Sequence, residues 1–98
     1  MRMIFKIMTA LPLLLSSAAF AADAPPPGAA ACSGCHAATR GVETAVPRLV
    51  GRDAAQLVSA MTAFRAGQRP STVMDRIAKG FTEDEVKAIA AWYAGQKD

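Results

Sequence analysis

Two cysteines and the only histidine of the chain lie within five consecutive residues and carry the side chains best suited to chemistry. The run reads Cys32-Ser33-Gly34-Cys35-His36. Residues three apart lie on one side of a helical turn, so the sulfur atoms of Cys32 and Cys35 point in the same direction and His36 follows beside them. Thiols form covalent links and an imidazole ligates metals. The spacing therefore predicts one bound group that is held by two sulfur atoms and a histidine nitrogen.

A C-x-x-C-H run is typical of covalent haem attachment, with two thioether links and an iron-ligating histidine. Other interpretations compete with it. A Cys32–Cys35 disulfide would close only a tiny loop and stabilise little, and a thiol-redox pair expects a βαβ setting. A structural zinc ion wants four ligands. We interpret Cys32 and Cys35 as the attachment residues of one covalent haem c and His36 as an axial iron ligand. A non-haem CxxC thiol-redox or metal-binding module is the alternative from another class.

The second axial position has few candidates. Since His36 is the only histidine, a haem with two histidine ligands is excluded within this chain. Met61 lies on an apolar helical stripe, where methionine usually fills the core. Met74 follows a loop that can bring it across the haem, so we predict Met74 as the ligand, with Met61 or an open position as alternatives. A thioether ligand raises the reduction potential and blocks the position where oxygen would bind, which favours an electron carrier.

Groups around the axial histidine and the haem edge are also suggested by the sequence. A backbone carbonyl that accepts a hydrogen bond from His36 would fix its tautomer and orientation. Pro47, in the following loop, can supply that carbonyl, and an ordinary loop proline is the equal alternative. Arginines are candidates for pairing with the haem propionates. The chain offers Arg48, Arg52, Arg65 and Arg69 here, and the sequence does not choose among them.

The N-terminus has the pattern of a secretory signal. Arg2 and Lys6 precede an apolar run over 7–15, and Ala19-Phe20-Ala21 fits a small-x-small cleavage site. This predicts a cleaved signal peptide over 1–21 and an exported, periplasmic protein. The apolar run is short for a membrane span of roughly 20 residues, so we expect no stable membrane insertion after processing.

The remaining chain divides into a proline-rich leader over 22–28 and one small domain over 29–98. Without Arg2 and Lys6 the formal net charge of +3 falls to +1. No cluster of lysines and arginines indicates nucleic acid as a partner. A domain of this size needs an internal scaffold besides its own side chains.

Local signals predict an all-α domain of three to five helices joined by long loops. Helices are expected from about Gly28 into the cysteines, from Asp53 as an N-cap toward Gly67, from Val73 to Lys79, and behind the capping box that begins at Thr82. The last of these should end at Gly95. No strand pattern of alternating residues occurs.

The chain resembles class I cytochromes c over nearly all of 29–98. The similarity lies in the C-S-G-C-H run, in Val46-Pro47-Arg48-Leu49, in the segment that starts at Met74, and in Ala91-Trp92-Tyr93. The resemblance implies a cytochrome c domain that wraps one haem. It further implies that the carbonyl of Pro47 bonds the haem histidine, that Leu49 packs on the haem, and that Met74 is the distal ligand. It also implies that Trp92 packs on small residues near the first helix.

Within that family the chain is similar to the cytochrome c4-like branch. The segment from Thr72 to Phe81 resembles the single-haem cytochrome subunit of flavocytochrome c sulfide dehydrogenases. This implies a partner flavoprotein that contains FAD and passes electrons from sulfide to the cytochrome. The alternative is a freely diffusing carrier in a respiratory or photosynthetic chain. Neither hypothesis makes the chain an enzyme by itself, because no paired acid and base or activated nucleophile is apparent.

Overall fold

A computed structural model describes residues 24–39, 41 and 45–97. Within these ranges the chain forms four helices and no strand, which confirms the all-α prediction. The helices are α1 (Ala29–Cys32), α2 (Ala54–Arg65), α3 (Met74–Lys79) and α4 (Glu83–Gly95). The expected signal peptide over 1–21 lies outside the described residues. In the part of the chain that is described, no helix has the length and apolar character to cross a membrane.

Helix α2 begins and ends where its local signals predicted. The carboxylate of Asp53 accepts a hydrogen bond from the backbone N–H of Gln56 at 3.1 Å. At the other end Gly67 adopts the left-handed conformation with φ 71°. The N–H of Gly67 then bonds the carbonyl of Phe64, and that of Gln68 bonds the carbonyl of Ala63. This pair of bonds is a Schellman motif, which satisfies carbonyls that the helix end leaves open.

The capping box predicted at the start of α4 is present. The hydroxyl of Thr82 accepts from the N–H of Glu85 at 3.2 Å, and the carboxylate of Glu85 accepts from the N–H of Thr82 at 2.9 Å. These bonds with Thr82 hold the pKa of Glu85 below its usual range. The box fixes the direction in which α4 leaves the preceding loop.

Helix α3 has a different kind of start. Its N-cap residue, Val73, has no side chain that can accept a hydrogen bond. Instead the N–H of Asp75 donates to the hydroxyl of Ser71 at 3.1 Å, and that hydroxyl lies 3.3 Å from the Asp75 carboxylate. The six-residue helix ends at Gly80 as expected and packs against α2, which also packs against α4.

The closed core of the described chain is small. Its buried apolar residues are Ala29, Ala78, Val86, Ala90 and Tyr93, and only Tyr93 among them has a large side chain. The N-cap residue of α1, Gly28, packs closely on the half-buried Phe81, because a Cβ atom on Gly28 would lie 2.6 Å from the ring. Most of the other apolar side chains surround a cavity.

Candidate cofactor site

A cavity of about 630 Å³ opens between α1, the loop over 45–52, and helices α2 to α4. Its volume lies in the range of roughly 300–1,000 Å³ that is usual for small-molecule and cofactor sites. The structure brings all six residues that were expected to hold the haem to this one cavity, namely Cys32, Cys35, His36, Pro47, Leu49 and Met74. Met61 lines it as well, so position alone leaves two methionines available to a bound iron.

The attachment run folds as one hydrogen-bonded unit. Gly34 donates to the carbonyl of Ala31, and both Cys35 and His36 donate to the carbonyl of Cys32, the last at 2.8 Å. No disulfide joins Cys32 and Cys35. Burial raises the pKa of the Cys32 thiol, which lies half-buried near the carbonyl of Gly28. The turn thus places the sulfur atoms of Cys32 and Cys35 and the imidazole of His36 along one wall of the cavity.

The ring of His36 is held by the loop that follows it. Its Nδ1 atom lies 2.5 Å from the carbonyl oxygen of Pro47. Because a carbonyl oxygen only accepts, Nδ1 carries the proton and a neutral ring has its lone pair on Nε2. That tautomer is the one that can ligate a metal through Nε2 while the other nitrogen is fixed by a second hydrogen bond.

Tyr93 and Ser33 take part in the site, and the sequence interpretation missed both. The phenol of Tyr93 donates to the carbonyl of Ala29 at 2.5 Å. Since its one proton is used there, the hydroxyl of Ser33 must be the donor in the 2.8 Å bond between Ser33 and Tyr93. Burial raises the pKa of Tyr93, and the Ser33 bond offsets part of that rise. A tyrosine on the buried face of α4 signals that its hydroxyl needs a partner, without naming the partner.

The structure separates the four arginines into two pairs. Arg48 donates to the carbonyl of Ala38, and Arg65 donates to the carbonyl of Phe81. Arg52 and Arg69 instead line the cavity, and the guanidinium carbon of Arg69 lies 4.9 Å from the centre of the Phe64 ring. Among the described residues that line the cavity there is no carboxylate. The two cavity arginines are therefore available to an acidic group of a bound molecule.

The donor set and the walls of the cavity together fit a covalently attached haem. Two thiols and an imidazole with a free Nε2 lie on one side, two thioethers are available to the iron, and the lining is predominantly apolar. Leu49, Leu57 and Phe64 are among the apolar walls. A large apolar group with acidic substituents matches these features, because Arg52 and Arg69 supply positive charge where the walls are otherwise apolar.

Comparison with known proteins agrees with this fit. No family model matches the chain. Cytochrome c-554(548) of Halomonas halodenitrificans is 33% identical over 70 residues, which is 67% of this chain and 84% of that protein. In the described residues, helices surround a cavity whose wall carries the C-x-x-C-H run, and the similarity to this relative identifies the class of protein. The chain belongs to the c-type cytochromes, whose members carry covalent haem c.

Two further relatives are named for the enzymes with which they work. The cytochrome subunit of sulfide dehydrogenase from Chlorobaculum tepidum is 36% identical over 62 residues, covering 63% of this chain and 56% of that protein. The thiosulfate dehydrogenase electron acceptor of Stutzerimonas stutzeri is 38% identical over 73 residues, covering 68% of this chain and 34% of that protein. The chain thus spans about half of the first relative and a third of the second.

Proposed function

We propose that this chain is a monohaem cytochrome c that carries single electrons and is not an enzyme by itself. Cys32 and Cys35 would hold the haem through thioethers, and His36 and Met74 would ligate its iron. The observation that carries the proposal is the convergence of the attachment run and Met74 on one apolar cavity, with Nε2 of His36 free because Nδ1 is bonded to Pro47.

The haem supplies a centre that takes up and releases one electron, and the residues of the chain set the conditions for that exchange. The thioether of Met74 favours the reduced iron and raises the reduction potential. The bond from His36 to Pro47 keeps the imidazole in one tautomer and one orientation. Two axial ligands leave no open position for oxygen or peroxide, so the site is suited to electron transfer without binding a substrate.

The cavity walls have two tasks in this proposal. Apolar side chains such as Leu49 and Phe64 exclude water from the haem faces, which lowers the local dielectric and favours the form with less net charge. Arg52 and Arg69, which line the cavity, are the arginines that we propose to pair with the propionates.

The proposed partner is a flavoprotein that contains FAD and oxidises sulfide, with this chain as the electron-accepting cytochrome subunit in the periplasm. The relative from Chlorobaculum tepidum is named as the cytochrome subunit of sulfide dehydrogenase, which supports a sulfide-oxidising enzyme as the partner. The second candidate is a freely diffusing electron carrier, and the relative from Stutzerimonas stutzeri, named as the electron acceptor of a dehydrogenase, favours it. Both candidates use the same haem site and differ in whether the partner stays bound.

The haem and the processing are tested together on protein from a host that matures c-type cytochromes. We expect an intact mass equal to residues 22–98 plus one haem, and sharp low-spin bands in the reduced-minus-oxidised visible spectrum. A colourless protein without added mass would overturn the proposal and favour the CxxC thiol or metal module. An added haem on the uncleaved chain would contradict only the predicted signal peptidase site.

The partner is tested by purifying the tagged cytochrome from its own organism under mild conditions. A permanent subunit should bring down a flavin-containing chain in equal amount, which is measured from the flavin and haem absorbance of the same sample. Haem without flavin, at every salt concentration tried, would favour the diffusing carrier.

A further inference from the structure

Tyr93 of α4 is hydrogen bonded to both of the segments that hold His36. Tyr93 is 1% exposed. Its side chain hydrogen bonds to the segment over 29–33, and its backbone carbonyl accepts a hydrogen bond from the loop over 45–52. The two connections reach His36 from different directions, one at its backbone and one at its ring.

The first connection runs through the attachment segment. The phenol of Tyr93 bonds Ala29, at the start of α1, and Ser33, between the two cysteines. From there the carbonyl of Cys32 accepts the backbone N–H of His36 at 2.8 Å. Tyr93 is therefore bonded at both ends of α1, the helix that leads directly into the run carrying His36.

The second connection runs through the loop over 45–52. The carbonyl of Tyr93 accepts the N–H of Gly51 at 3.0 Å, and within the loop the N–H of Arg52 bonds the carbonyl of Leu49. The same loop carries Pro47, whose carbonyl bonds Nδ1 of His36. Tyr93 is thus bonded both to the segment that leads into the His36 backbone and to the loop whose Pro47 carbonyl orients the His36 ring.

We propose that Tyr93 is the positioning residue for His36, and that it sets the orientation of the imidazole plane relative to the haem. The inference rests on the proposed ligation of the iron by His36. A ligand histidine is oriented by the groups that bond its second nitrogen. Here that group and the histidine backbone are tied to one residue, so a displacement at Tyr93 changes both together.

The hydroxyl of Tyr93, rather than its ring, carries this role. Phenylalanine would fill the same space, but it would leave the carbonyl of Ala29 and the hydroxyl of Ser33 without their buried partner, which is unfavourable. The α1 turn would then gain freedom to rotate on α4. Tyr93→Phe therefore removes the first connection and leaves the backbone connection to Gly51 in place.

The test uses haem-loaded protein with Tyr93→Phe and Ser33→Ala. Ser33→Thr keeps a hydroxyl and serves as the rescue variant, and Ser59→Ala, at an exposed position of α2, is the matched serine control. Two measurements report the histidine: the spread of haem methyl shifts in the proton spectrum of the ferric protein, and the exchange rate of the His36 ring N–H. The amide exchange of Gly51 reports the second connection.

We expect Tyr93→Phe to change the methyl pattern and to speed exchange of the His36 ring N–H on the order of tenfold, as for the loss of about one hydrogen bond. Ser33→Ala should give a smaller change in the same direction, while Ser33→Thr and Ser59→Ala resemble the wild type. Gly51 should stay protected in both Ser33→Ala and Tyr93→Phe, because its N–H bonds the backbone carbonyl of residue 93.

A methyl pattern and ring exchange unchanged in Tyr93→Phe would overturn the inference, even if that variant were less stable, because Tyr93 would then only pack. If Tyr93→Phe does not yield holoprotein, an unchanged pattern in Ser33→Ala has the same meaning. A wild-type holoprotein without a histidine ligand would overturn the proposed function as well, which separates the two failures.

Discussion

The two sides of the cavity hold their proposed iron ligands in different ways. On one side His36 belongs to a segment that is bonded to α4 through Tyr93 and to the following loop through Pro47. On the other side Met74 is the first residue of a six-residue helix whose start is held by the local bonds between Ser71 and Asp75. Val73 and Ile77, which line the cavity next to Met74, are 48% and 37% exposed.

This difference indicates that one small domain can hold one proposed iron ligand firmly while the other is able to exchange. Covalent attachment and hydrogen bonds from distant parts of the chain fix the histidine side. On the methionine side α3 packs against α2, but the turn that carries Met74 is held by bonds between near neighbours in sequence and can open locally. We therefore expect the methionine ligand to be the one that exchanges, and the following predictions test that asymmetry.

Replacing the methionine ligand should have the largest effect. Met74→Ala should leave the haem attached, because Cys32, Cys35 and His36 are untouched. We expect the reduction potential to fall on the order of 100 mV, a modest part of the range of about 0.8 V that axial ligands cover. Redox titration measures the fall, and binding of added cyanide or imidazole shows that the position has opened. An unchanged potential would refute Met74 as the ligand.

Close packing at the start of α1 should make Gly28 sensitive to a single methyl group. In Gly28→Ala the left-handed backbone, φ 88°, costs about 1–2 kcal/mol. The contact at 2.6 Å with the Phe81 ring adds about 1–3 kcal/mol. Gly67→Ala is the matched control, since Gly67 has φ 71° and nothing within 4 Å of its added Cβ. Denaturant unfolding should show a larger loss for Gly28→Ala; equal losses would contradict the tight α1 contact.

The lability of the methionine side should depend on the bonds at the start of α3. Ser71→Ala removes the acceptor of the Asp75 N–H, so the turn that carries Met74 should open more often. We expect imidazole to bind the ferric protein roughly 2- to 10-fold faster, as for the loss of one hydrogen bond. Stopped-flow mixing measures the rate, with Ser59→Ala as the control. A rate equal to that of the control would mean that other contacts hold Met74.

The smallest expected effect concerns acid stability and lies away from both ligands. The pKa of Glu85 is lowered in the folded chain by its bonds with Thr82. A lowered carboxylate pKa contributes stability above the ordinary glutamate pKa, and that contribution is lost as the pH falls through the lowered value. Glu85→Gln keeps an acceptor oxygen for the capping box but does not titrate. The stability of Glu85→Gln should therefore change less between neutral and acid pH than that of the wild type. Thermal unfolding at a series of pH values measures the difference.

The helix limits were predictable because their signals are local. Asp53 with Gln56, and Thr82 with Glu85, are separated by three residues, and each pair makes the bonds that its spacing indicated. The attachment run is local in the same sense. The fold class follows from short-range caps and one five-residue motif. It could therefore be predicted without knowing which distant segments of the chain contact each other.

What the sequence left open depends on contacts between distant residues. Ser33 and Tyr93 are 60 residues apart, and helical periodicity does not say which residue a buried hydroxyl will meet. The resemblance implied that Trp92 packs on small residues near the first helix, which stays a prediction. It did not indicate that the neighbouring Tyr93 bonds the carbonyl of Ala29, with the Trp92 ring edge-on to the Tyr93 ring at 4.8 Å. Likewise the paths of the loops decide that Arg52 and Arg69 line the cavity.

The most direct test of the haem site is the proton spectrum of the reduced holoprotein. The ring current of the porphyrin shifts the methyl group of an iron-bound methionine far upfield, away from all other methyl signals. Met61 and Met74 both line the cavity, so Met61→Leu and Met74→Leu form a matched pair. We predict that the upfield methyl signal persists in Met61→Leu and disappears in Met74→Leu. If the signal disappears in Met61→Leu and persists in Met74→Leu, the assignment of Met74 opposite His36 is contradicted. The same holds if the wild type shows no upfield methyl signal.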